Sequence, residues 1–195
     1  MKLIYSLSFF LFSTLLLQGQ EDFYKRLADS AYTLKYDQVV YDPSYFGIDY
    51  PNGDVPAGKG VCTDVVIRAY RKLGIDLQQL VHEDMKAHFE EYPDNWGLSK
   101  PDPNIDHRRV PNLMCFFSRF GQELIKSNNS GDYKPGDIVC WSLGGGITHI
   151  GILVKERSCD KKRPLVVHNI GGGQVVEDVL FNYTIIGHYR FKPQS

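Results

Sequence analysis

The 195-residue chain lacks any charge excess: 22 Lys plus Arg stand against 23 Asp plus Glu. A near-neutral total offers no global field to recruit nucleic acid or an anionic membrane surface. Four cysteines are too few for a small scaffold built on disulfides. No CxxC pair and no HExxH zinc signature occur. Gly58-Lys59-Gly60 lacks the spacing and the following Ser or Thr of a phosphate loop, and Gly171 to Gly173 precede a strand-like segment rather than a helix. Neither a metal nor a cofactor is expected from these patterns. There is no internal repeat and no low-complexity linker. What is present, 43% hydrophobic and 13% aromatic residues, is too apolar for a disordered chain and suits one ordinary globular domain.

The first segment reads as an address. Met1-Lys2 precedes an apolar run from Leu3 to Leu17, about 15 residues, and Gly19 supplies a small residue before a polar stretch. The run is short of the roughly 20 residues of a membrane span. Residues 1–19 are therefore expected to be a signal peptide and 20–195 one domain, with its core at about 45–191. The mature protein should be secreted or periplasmic and monomeric, with no stable membrane insertion and no nucleic-acid partner. In an oxidising compartment a cysteine is paired, buried or employed. Spacing alone assigns no pairs among Cys62, Cys115, Cys140 and Cys159.

Periodicity divides the chain. Phe23, Leu27 and Ala28 suggest a short helix to about Thr33, and residues 34–60 hold loop chemistry. Cys62, Val65/Val66, Ala69/Tyr70 and Leu73 recur at helical spacing, with Gly74 closing the helix. Leu77–Phe89 reads as a second helix, and Pro111 opens a third reaching about Ile125. After Pro135 short β-rich runs follow: Ile138 to Trp141, Ile147 to Val154, Leu165 to His168, Val175-Val176 and Ile185 to Phe191. Helices first and a strand meander second predict an α+β domain with N-terminal helices packed on an antiparallel sheet.

Chemistry concentrates in three places. Cys62 sits at a helix start, where backbone N–H groups and the helix dipole favour a thiolate. His149, in Thr148-His149-Ile150-Gly151-Ile152, lies on a strand among β-branched neighbours, a stiff setting for a general base. His168 ends the next strand with Asn169 and can orient the first imidazole. Each residue alone also fits a packing role, a buried thiol or a core histidine bonded to a carbonyl. Together they form a nucleophile, a base and an orienting group.

That order, a helix-start Cys, then Gly136-Asp137-Ile138-Val139, then His149-Ile150-Gly151-Ile152 and a polar third residue, resembles the NlpC-type papain-like cysteine peptidases. The resemblance implies a papain-like fold and hydrolysis of peptide bonds in peptidoglycan stems. It also implies an aromatic residue ahead of the Cys, here Tyr50, helping the Cys62 N–H to form an oxyanion hole. The blocks Tyr50 to Pro56, Gly60 to Ala69, Ile105 to Leu113, Gly136 to Trp141 and His168 to Gly171 identify the chain as a member of the narrower bacterial family called domain of unknown function 1287. Two departures matter. Cys62-Thr63-Asp64 replaces the usual Cys-Ser-Gly, and the part before the sheet is longer.

Asp64, two residues from the thiol, could raise its pKa or bind a substrate amine. Arg108 and Arg109 beside His107 suit a carboxylate-bearing ligand, or equally tie the loop to Asp102 or Glu90/Glu91. His107 is a second candidate base. Trp96 suits a cleft and Trp141 the core. The leading expectation is an exported cysteine hydrolase acting on peptidoglycan or another peptide. Two others stand beside it: zinc held by Cys62, His149 and His168, and a wall-binding module without catalysis.

Overall fold

The computed structural model describes residue 19 and residues 21–193. The expected signal peptide thus lies, but for Gly19, outside the described residues. Helix α1 (21–33) leads into the short strands β1 (Val40–Tyr41) and β2 (Lys59–Gly60). Helices α2 (Cys62–Arg71), α3 (Leu77–Ala87) and α4 (Val110–Phe120) follow. The strands β3 (Gln122–Glu123), β4 (Ile138–Gly144), β5 (Ile147–Arg157), β6 (Pro164–Asn169), β7 (Gln174–Glu177) and β8 (Thr184–Arg190) complete the domain. Among the described residues no helix is long and apolar enough to cross a membrane.

The six later strands form one antiparallel sheet in the order β3-β8-β4-β5-β6-β7. The α+β expectation holds. The simple meander does not, because β8 returns across the sheet to lie between β3 and β4. The third helix stops at Phe120 rather than near Ile125: the main chain is extended at Gly121, and Gln122 and Glu123 pair with the edge of β8 instead. The second helix stops at Ala87, and residues 89–91 form a 3-10 turn.

Strand alternation between two cores explains why β4 is apolar at every position from Ile138 to Trp141. Ile138 and Cys140 face the helices, in a core with Ile150, Ile152 and Val167 of the sheet and Leu27, Val66, Tyr70, Leu113 and Phe117 of the helical layer. Val139 and Trp141 face the other side, where Tyr133, Leu153, Val166 and Leu180 make a second, smaller core. Trp141 is fully buried there, its indole N–H donating to the Leu180 carbonyl at 2.9 Å. Polar groups fasten the same layer. Asp137 accepts from the His188 imidazole at 2.8 Å and from the Arg190 guanidinium at 2.5 Å.

Candidate active site

Cys62 opens α2, and the chain reaches it through β2, which pairs in parallel with β1. Asp64 fixes the helix start, its carboxylate accepting the Val61 N–H at 2.7 Å. A Cβ at position 60 would come within 3.3 Å of that carboxylate and 3.1 Å of the Arg68 guanidinium, so any larger residue there would push on both groups. The Gly60 carbonyl in turn accepts from the buried Asn169 amide at 3.1 Å. Asn169 thereby ties the loop before Cys62 to the end of β6, the strand that carries His168.

The sheet builds the second half. His149 and Trp141 are register partners on β5 and β4, with rings 5.8 Å apart. His149 Nε2 lies 3.0 Å from His168 Nδ1. Gly151 permits this approach: a Cβ there would stand 2.6 Å from the Val166 side chain and 3.3 Å from the His168 Cβ. His168 Nε2 lies 3.2 Å from the half-exposed Glu177 carboxylate of β7, at ion-pair distance though poorly aligned for a hydrogen bond.

This chain of contacts selects tautomers. A carboxylate only accepts, so the His168 proton belongs on Nε2, facing Glu177. Nδ1 of His168 then accepts from Nε2–H of His149. The lone pair of His149 is left on Nδ1, which has no hydrogen-bond partner among the described residues. Burial, then the neighbouring His168, lowers the His149 pKa to about 4. Burial also lowers that of His168, against the opposing pull of Glu177. Both rings therefore rest neutral.

The thiol departs from expectation. N–H groups of Ile150, Thr63 and Cys62 itself stabilise a thiolate, yet burial dominates and, with the Asp64 charge, pushes the pKa up to about 11. Burial of the thiol at the base of the groove outweighs the helix start. The sulfur meets the main chain of β5 at Ile150, one residue from His149. Side chains alternate along the strand, so Ile150 packs on the helical side while the His149 ring shares the face of Trp141. Among the described residues no hydrogen bond joins the sulfur to either imidazole.

Other expected site residues are placed differently. Tyr50 is exposed and sits edge-on to His82, 5.0 Å between ring centres, away from the groove beside Cys62. Tyr41 of β1 borders that groove instead. Burial, and then the nearby Cys62, raises its pKa, keeping the phenol protonated. Asp64 and Arg108, expected as separate substrate contacts, are partners of each other: a buried bidentate pair at 3.0 and 3.1 Å. Asp64 is therefore not free for a substrate amine. His107 lies buried outside the groove, so it is not placed to serve Cys62, and burial and then Arg108 and Arg71 lower its pKa to about 3. Arg109 alone keeps its charge available. Its guanidinium lies 4.0 Å above the Trp96 ring, and both line the groove.

The sequence between residues 28 and 191 matches the family described as "Domain of unknown function (DUF1287)". The chain belongs to this family. It is also similar to the uncharacterized protein YijF of Escherichia coli (strain K12), 52% identical over 165 residues, which cover 85% of this chain and 80% of that protein. The family match takes in every residue of the groove and of the histidine pair. All four cysteines of this family member are free. Cys140 is buried beside Cys62, Cys115 donates to the Glu91 carbonyl at 3.3 Å, and Cys159 is exposed.

Two participants escaped the sequence. Tyr41 stood in a stretch legible only as loop, and nothing local indicated that β1 pairs beside the nucleophile loop. Glu177 followed two valines on a predicted strand, a pattern that shows alternation but not the neighbour across it. Among the described residues no three His, Cys, Asp or Glu side chains are placed to hold a metal ion. Cys62, His149 and His168 thus form no zinc ligand set.

Proposed function

We propose that the protein is an exported cysteine hydrolase of papain-like type that cleaves an amide bond in a peptide, with peptidoglycan stem peptides as its substrate class. The observation that carries this reading is the Glu177–His168–His149 chain, which leaves a basic Nδ1 on a rigid strand one residue from the main-chain group that meets the Cys62 thiol. The substrate class, the export and the finer fold rest on the resemblance of Cys62, His149 and His168 in their order to NlpC-type peptidases.

The two reacting groups rest neutral, a thiol near 11 and an imidazole near 4. The proton therefore moves only when a substrate carbonyl fills the groove and the developing oxyanion compensates for it. Cys62 attacks the carbonyl, and His149 takes the thiol proton and returns it to the leaving amine. His168, held by Glu177, keeps Nε2–H of His149 occupied so that Nδ1 stays the base. The backbone N–H groups at the start of α2 and the protonated Tyr41 hydroxyl are the donors nearest the oxyanion. Such a donor is worth on the order of 10²–10³ in rate.

The test is Cys62→Ala on purified peptidoglycan, with released amino termini counted and the fragments weighed by mass spectrometry. The expected result is loss of release with the fold retained. Unchanged release eliminates the mechanism. Sacculus binding that persists in both proteins, with no release by either, points to the wall-binding module instead.

A further inference from the structure

The groove beside Cys62 has a volume of about 210 Å³. That is room for about one residue of a bound peptide. None of its lining side chains is acidic, and two are guanidiniums. Arg108 is neutralised by Asp64. The Arg109 guanidinium makes no hydrogen bond or salt bridge among the described residues, its carbonyl alone accepting at the start of α4. The carboxylates whose field reaches it, Asp106 and Asp102, hydrogen-bond to other groups: Asp106 through Oδ2 with His82 and the Asp102 N–H, its Oδ1 having no partner, and Asp102 with Tyr45 and Asn104. Burial lowers the Arg109 pKa, the sign of a cation held partly out of water without enough compensation. Stacking on Trp96 fixes the plane of the fork before any ligand arrives.

A pre-oriented, partly desolvated and unpaired guanidinium calls for a planar anion. We infer that Arg109, stacked on Trp96, is the specificity-determining residue of the Cys62 groove and binds a carboxylate of the substrate within about one residue of the scissile carbonyl. The substrate class is thereby narrowed to peptides bearing a carboxylate at that place, either a free C-terminus or an acidic side chain. This rests on the hydrolase reading for the identity of the scissile bond, but not for the binding itself.

The experiment uses the Cys62→Ala protein, which retains the groove and cannot turn substrate over. Calorimetric titration compares purified stem peptides with the same peptides amidated at the C-terminus only, at the side-chain carboxyl only, or at both. The expected result is that one of the single amidations weakens binding roughly 10- to 100-fold, the scale of a charge-assisted bidentate contact, and so identifies the source of the carboxylate. Adding Arg109→Gln should abolish that discrimination, while Arg109→Lys, which keeps charge but loses the fork and the stack, should retain only part of it. Thermal melts of both variants check that the groove survives. Equal binding of acid and amide overturns the inference, as does discrimination that survives Arg109→Gln or the absence of binding by any peptide. Discrimination without cleavage by the wild-type protein leaves the subsite standing and overturns the hydrolase.

Discussion

Two buried histidine clusters share one sheet and differ in a way that separates structure from chemistry. On β8, His188 is enclosed with both ring nitrogens facing acceptors, the Ile125 carbonyl at 2.8 Å and Asp137 at 2.8 Å. Tyr133 stacks on its ring, and Asp137 also holds Arg190 and the Lys134 N–H. Every valence is used, so the cluster can only hold. On β5 and β6, His149 and His168 engage each other on one nitrogen apiece, His168 leans on a half-exposed carboxylate, and Nδ1 of His149 is left open. A ring nitrogen without a protein partner is free to take a proton. An open ring nitrogen, rather than burial or the presence of histidine, distinguishes the cluster to which the proposed chemistry is assigned.

The comparison can be broken by substitution. The largest effect is expected from His149→Ala, which should lower kcat on peptidoglycan by about 10²–10⁴ with the fold intact by circular dichroism. Asp137→Ala should act in the opposite sense. It strands a buried imidazole and a guanidinium, and urea unfolding should show a loss of about 3–5 kcal/mol, while activity per folded molecule stays near that of the wild type. A stable Asp137→Ala protein with no activity would reverse the assignment of the two clusters.

Acid sharpens the contrast further. The folded-state pKa of His149, about 4, lies below the ordinary 6.5, so between those values the unfolded chain binds more protons than the native one. Stability is full above about pH 6.5, falls as the pH drops, and stops falling on this account near pH 4. Urea-unfolding free energies at pH 7 and pH 4.5 should differ less in His149→Gln than in the wild type, by about 1–3 kcal/mol. An identical pH slope in the two proteins removes burial as the cause. The smallest effect is expected for Glu177→Gln. The half-exposed partner keeps an acceptor, so kcat should fall only about 3- to 10-fold and stability by less than about 1 kcal/mol.

The parts of the site that were legible early share a physical character. Cys62 announced itself because a helix start is written locally, in the glycines before it and the apolar spacing after it. His149 and Gly151 were readable as one unit because period-2 alternation and a small residue mark a crowded strand, and the clash a Cβ would make with Val166 and His168 gives the reason. The sequence leaves Asp64 and Arg108 open between ligand contacts and structural ion pairs, and names the wrong acidic partners for the arginine. Forty-four residues separate the two, and a charge in sequence carries no sign of whether its counter-ion is a substrate or another side chain. Tyr41 carries no such mark for a similar reason, since only the β1–β2 pairing shows which tyrosine borders Cys62.

The sequence by itself determined the α+β class, the helix that presents Cys62 and the strands that carry His149 and His168, because helix and strand periods and the close-packing glycines are local properties. It also determined the near-neutral total charge, which turns attention to individual cations. Only the tertiary structure decided which of those cations are used up. Arg108 is cancelled by Asp64, and Arg109 is left stacked and unpaired at the groove. It likewise decided the protonation of the thiol: the helix start favours a thiolate, but the depth at which α2 packs on the sheet withdraws Cys62 from water, and desolvation is the larger energy.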